Sequence, residues 1–172
     1  MPKSSKNQDN TKTCLKEKLE FYYIIKDIIH NKTVQEMKNY RQHYDISTFK
    51  HCLNVSYFNY KVCKKLGLDY ISSARAGMLH DLFLYDWRNS RKKLNLDGYH
   101  AFVHPKIALK NALKLFDLNK KEQDIILKHM WPVTLFSIPK YRESFIITLT
   151  DKYSALKESF IHYKEMLKTR RI

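Results

Sequence analysis

AGMLHDLFLYD, residues 76–86, sets an imidazole and a carboxylate side by side, His80-Asp81, inside an otherwise apolar run. Burying an ionised carboxylate among Met, Leu and Phe costs several kcal/mol unless something positive compensates it. A metal ion is the simplest compensation, and imidazole plus carboxylate suits hard-to-borderline divalent metals. The pair takes its meaning from partners elsewhere in the chain.

Upstream, Asp69 can cap the helix that runs into the pair. Gly77 inside that helix costs about 1 kcal/mol against Ala, which points to a close backbone approach. Ser47 can cap a longer helix whose inner face carries Phe49, Cys52, Leu53, Tyr60 and Cys63, with His51 on or beside that face. Gly67 is a fitting residue just past its end. Further back, Thr33-Val-Gln-Glu36 reads as a capping box. Leu15, Leu19, Tyr22, Ile25 and Ile29 recur at helical steps. Residues 1–13 are polar and aperiodic and are expected to form a disordered basic tail, leaving 14–172 as a single domain.

Downstream, residues 86–103 are polar, hold Gly98 and lack periodicity. They read as the one substantial loop, of the kind that often forms a lid. His104-Pro105 is expected to open a helix with Pro at its first position. The buried side of that helix should be Ile107, Leu109, Ala112, Leu113 and Phe116. Asn119-Lys-Lys-Glu122 starts another in capping-box style, carrying Ile125 and Ile126 and ending at His129. A connector with Pro132 and Pro139 leads to the last helix. There Phe145, Leu149, Leu156 and Phe160 mark the expected buried side, and Asp151 falls in the first few turns. No segment alternates with period two, so the fold expected is all-α, a bundle of about seven helices.

The chain of 172 residues carries 32 basic against 17 acidic side chains, a net +15 that favours anionic ligands. Its lysines are dispersed rather than gathered into a basic block interleaved with aromatics. That pattern suits a solvated surface better than a dedicated nucleic-acid interface. Three cysteines without a CxxC spacing read as reduced packing thiols of an intracellular protein. No apolar run approaches the about 18 residues of a membrane span. The expected setting is cytoplasmic, without a membrane partner.

Taken in order, the inward-looking polar residues are His51, His80, Asp81, His104, His129 and Asp151, each at the end or on the apolar side of an expected helix. Converging helices are the usual way in which bundles build metal sites. This ordered set resembles the HD-domain metal-dependent phosphohydrolases over roughly residues 47–160. The two additional histidines resemble the subgroup of that family that holds two metals. The resemblance implies one metal on His51, His80, Asp81 and Asp151, with Asp81 bridging to a second on His104 and His129. His100, four residues earlier, is the rival of His104. The metals implied are Fe, Mn, Zn, Ni or Co rather than Mg.

No Gly-Tyr-Pro motif is present, so cyclic di-GMP hydrolysis is not implied. Leu82-Phe83-Leu84 stand where the family often has a small residue, a glycine and a nearby lysine. Arg88 or Lys152 could take the phosphate-contacting role instead, beside His80 and Asp81 in the catalytic set. The activity implied is hydrolysis of a phosphorylated small molecule, such as a nucleotide, by metal-activated water. Two other readings accompany it: a mixed-valent diiron oxygenase on the same ligands, and a basic nucleic-acid-binding module with a structural metal site.

Overall fold

Side-chain caps set several helix boundaries in the computed structural model, which describes residues 4–88 and 100–169, with side chains over 12–88 and 100–168. The elements in order are α1 (Ser4–Ile29), α2 (Lys32–Gln35), a 3-10 turn (Glu36–Asn39), β1 (Arg41–His43), β2 (Ile46–Ser47), α3 (Thr48–Lys65), α4 (Tyr70–Leu79), α5 (His100–Leu115), α6 (Lys120–Lys128) and α7 (Arg142–Thr169). Ser47 Oγ accepts from Lys50 N at 3.3 Å and Asp69 Oδ1 from Ser72 N at 3.0 Å. Asn119 and Glu122 form a reciprocal capping box. Gly67, at φ +65°, follows the last turn of α3. Among the described residues the fold is an all-α bundle with one short antiparallel ribbon, β1–β2.

Helix α4 is the centre of the bundle, packed against α1, α3, α5, α6 and α7. Its closest neighbour is α3, and Gly77 is the reason. A Cβ there would lie 2.9 Å from Ser56 Cα, so the absence of a side chain lets the two backbones meet. Met78, Leu79 and Leu82 then bury against Cys52, Val55 and Ile125. The carboxyl end of α4 therefore delivers His80 and Asp81 into the interior.

Several expectations are corrected. α1 begins at Ser4, within the segment read as a tail, and residues 12–16 are exposed. Its core side is Phe21, Ile25 and Ile28, whereas Leu15, Leu19 and Tyr22 face outward. Asn31, not Thr33, caps α2, accepting from Thr33 N and Val34 N. The helix after the loop starts at His100, so Pro105 lies inside α5 rather than at its opening. The first turn is closed by His104 Nδ1 donating to His100 O at 2.7 Å. His104, Pro105, Ala108 and Ala112 are its buried residues, while Leu113 is exposed. The ribbon is a strand pair too short for period two to show. The largest reversal is in α7. Phe145, Leu149, Leu156 and Phe160 are all exposed, and the buried side is Ser144, Ile147, Thr148, Thr150, Ser154 and Glu158. Of the loop read over 86–103, residues 89–99 lie outside the described residues.

Candidate metal centre

Five helices contribute the six side chains singled out in the sequence. His51 comes from the first turn of α3, His80 caps the end of α4 with Asp81 next, His104 lies in α5, His129 caps the end of α6, and Asp151 lies in α7. The structure brings all six together. His51 Nε2 lies 3.0 Å from Asp151 Oδ1, and His80 Nε2 lies 3.7 Å from the same oxygen and 3.5 Å from Asp81 Oδ2. On the other side, Asp81 Oδ1 lies 3.2 Å from His104 Nε2 and 3.5 Å from His129 Nε2, and these two nitrogens are 2.8 Å apart. Asp81 thus turns one oxygen to each half. All but Asp151, which keeps a little exposure, are buried.

Backbone carbonyls fix the ring orientations. His80 Nδ1 is 2.8 Å from Gly77 O, His104 Nδ1 is 2.7 Å from His100 O, and His129 Nδ1 is 2.8 Å from Ile126 O. A carbonyl only accepts, so each Nδ1 carries a proton, and in the neutral ring each Nε2 turns a lone pair inward. Two neutral imidazoles held this way oppose lone pairs at 2.8 Å, an arrangement that a shared proton or a cation relieves. His80 Nε2 and Asp81 Oδ1 are buried without any hydrogen-bond partner. Donors bound about 2.0–2.1 Å from one ion stand about 3.0–3.4 Å apart, close to the spacings in the Asp81–His104–His129 group. Both that group and His51–His80–Asp81 can hold a metal ion.

A second layer, missed in the sequence, braces the first. Glu158 Oε2 lies 3.0 Å from His51 Nδ1, and its other oxygen accepts from Asn54 Nδ2 at 3.0 Å. A carboxylate behind a ligating imidazole is the usual way to fix its orientation and raise its basicity. The available signal was the i, i+7 spacing of Asp151 and Glu158, which puts both on one face of α7. Gln42 Nε2 donates to Asp81 Oδ2 at 2.7 Å, and Thr48 Oγ1 lies 3.3 Å from Gln42 Oε1. Nothing in the sequence marked Gln42, because a three-residue strand has no readable period. His43 is half-buried with its ring 5.3 Å from that of His51, and His43, His51 and Glu158 form a third group with metal-ligand spacing.

The electrostatics follow from burial among opposite charges. Burial disfavours a charged His51, yet the Asp151 and Glu158 carboxylates override it and push the imidazole up to about 10. His80 is likewise raised, with Asp81 outweighing burial. Burial, then the charges of His104 and His80, push His129 down to about 3. Burial would raise Asp81 and Asp151, but the surrounding imidazoles hold both below the usual carboxylate range.

Arg88 and Lys152 lie beside the cluster rather than in it. An Arg88 guanidinium nitrogen donates to Gln42 O at 3.2 Å, and the group lies over the Trp87 ring. Lys152 Nζ donates to Trp131 O at 3.2 Å and Thr148 O at 3.1 Å. His100 stacks between Trp87 and His104, with ring centroids 5.2 and 4.5 Å away, and so stands behind His104 instead of replacing it.

A family model described as HD domain matches residues 48–156, well over half of the chain. No curated protein and no solved structure matches it. Among the described residues, no helix is long and apolar enough to cross a membrane.

Proposed function

The chain belongs to the HD domain family, largely metal-dependent phosphohydrolases, and from that premise we propose that it hydrolyses a phosphorylated small molecule, with nucleotides the first class to try. His51, His80, Asp81 and Asp151 would hold one divalent metal, and His104 and His129 a second, with Asp81 shared. Four imidazoles against two carboxylates favour Fe, Mn, Zn, Ni or Co over Mg. The observation that carries this reading is the set of inward Nε2 lone pairs beside the unpartnered Asp81 Oδ1. When bound, such a metal pair lowers the pKa of a shared water towards neutrality and polarises phosphoryl oxygens.

The chain's own residues supply the rest. Neutral imidazoles add no negative charge, so the pocket stays attractive to a phosphate. Glu158 fixes the ring of His51, and Gln42 fixes the carboxylate of Asp81. Arg88 donates to the carbonyl of Gln42, the residue whose side chain donates to Asp81, and is the cation we assign to the substrate phosphate. Lys152 spends two of its three N–H groups on carbonyls, which leaves one for a ligand. The test is turnover of a nucleotide and phosphoester panel by metal-loaded protein. Activity should vanish with a chelator and in His80→Ala. No turnover on any member overturns the assignment, and oxygen uptake by the iron-loaded chain in its place would redirect it to oxygenase chemistry.

A further inference from the structure

The outward face of α7 carries six large apolar side chains, Leu149, Tyr153, Leu156, Phe160, Tyr163 and Leu167, each 43–71 % exposed. Their steps are 4, 3, 4, 3 and 4 residues, the spacing of a coiled-coil seam. The opposite face of the same helix holds Asp151, Ser154 and Glu158, so the seam, apart from the Tyr153 ring meeting Phe58 of α3 edge-on, is turned away from the side that packs on the domain. Its second half also lies beyond residue 156, where the family match ends.

Two properties of the stripe say what covers it. The step pattern is the same read in either direction, and so nearly are the residues. Turned about its midpoint, Leu149 meets Leu167, Tyr153 meets Tyr163, and Leu156 meets Phe160. At about 200 Å² per large side chain the exposed part comes to roughly 700 Å² per copy, close to the about 800 Å² per partner of a standard interface. We propose that α7 pairs antiparallel with α7 of a second copy of this chain, about a twofold axis near residue 158.

The flanking charges permit this pairing. In that register Lys152 faces Met166 of the other copy, and Thr150 faces Lys164. Of the flanking charges, Lys157 alone meets its own equivalent, and its ammonium is drawn aside over the Phe58 ring, 5.1 Å from the centroid. Lys152 is turned away to Trp131 O and Thr148 O. A twofold pair makes each contact twice, so a seam that matches its own reverse is the pattern an isologous interface requires. The remaining repulsion is that of two +15 chains, which salt screens, so the dimer should tighten with ionic strength.

Sedimentation of the full chain at high micromolar concentration tests the pairing. The expected mass is twice the 20.7 kDa of one chain. Leu156→Glu and, separately, Tyr163→Glu should return it to one chain mass with an unchanged circular-dichroism spectrum, because both side chains are already exposed. In a Cys14→Ser background, Ser159→Cys should form an intermolecular disulfide, since residue 159 faces its own equivalent only in the antiparallel register. Leu156→Cys cross-linking efficiently while Ser159→Cys does not would mean parallel helices and overturn the register. A wild-type chain that stays monomeric in high salt overturns the dimer, and Leu156-dependent pelleting of that monomer with phosphatidylserine vesicles would assign the face to a membrane. A dimer that survives both glutamates overturns the role of α7.

Discussion

Replacing Gly77 by alanine decides whether close packing of α3 and α4 sets the position of His80. In an unconstrained helix the change stabilises by about 1 kcal/mol, so the sign of the effect is informative. Here the new Cβ would lie 2.9 Å from Ser56 Cα and 3.0 Å from Asn59 Nδ2. Carbon atoms favour about 3.5–4.0 Å, so the two helices must part by roughly 0.5–1 Å. Overpacking of that kind costs about 1–3 kcal/mol. Moving Asn59 adds a further loss of about 1 kcal/mol, because its Nδ2 donates to Ser73 O and its Oδ1 accepts from Thr150, beside Asp151. Set against the helix gain, the net loss is about 2 kcal/mol, or about 4–8 °C in Tm for a chain of this size. Urea and thermal unfolding of the metal-free protein measure it. Metal affinity should fall as well, because His80 follows three residues later on the displaced helix. A Gly77→Ala protein as stable as the parent, or more so, would refute the account of how α4 is held.

Glu158→Gln keeps the shape and one hydrogen bond but removes the charge behind His51. Metal affinity should drop about 10–100-fold by competition titration, and an unchanged affinity would leave Glu158 as a packing residue. His129→Ala should halve the metal content found by elemental analysis while the His51 half stays loaded. Full content would mean that His104 and Asp81 suffice on their side. In the metal-free chain His51, raised to about 10, contributes stability that is complete below its unfolded value of about 6.5 and is lost as pH rises through about 10. A metal that takes the ring must displace this proton, so affinity should rise about tenfold per pH unit for each proton released. Proton release on metal addition in weak buffer at neutral pH measures the number, and none released would contradict a charged His51.

Where local chemistry suffices, the sequence was readable. Ser47, Asp69 and the Asn119–Glu122 box cap helices because an oxygen on a short side chain reaches the free N–H groups whatever the tertiary fold. Gly77 was legible as a contact point because nothing local justifies a glycine there. The six candidate ligands could be picked out because a charged or imidazole group in an apolar stretch needs a reason. The bracing residues could not. Gln42 lies on a short irregular strand and makes its contact with Asp81 across 39 residues, and Glu158 meets His51 across 107. Pairings at that range depend on the packed fold and leave no period behind.

Helix α7 shows why the apolar face of a helix is an unsafe guide to its inside. Hydrophobic periodicity assigns burial on the premise that the interior is made of carbon. At this centre it is made of imidazole and carboxylate, so the helix that completes it turns Ser144, Thr148, Thr150, Ser154 and Glu158 inward. Four of these have specific partners, Ser144 in Asp124, Thr148 in the Phe145 carbonyl, Thr150 in Asn59, and Glu158 in His51 and Asn54, while the Ser154 hydroxyl is buried without one. The apolar stripe is then left facing out, and a row of Leu, Tyr and Phe over five helical turns has a free-energy cost in water that folding of one chain does not remove. A functional centre that makes the buried side of a helix polar and a second surface that makes the outer side apolar are separate demands. Both are met on α7, so its pattern looks like an ordinary amphipathic helix turned inside out.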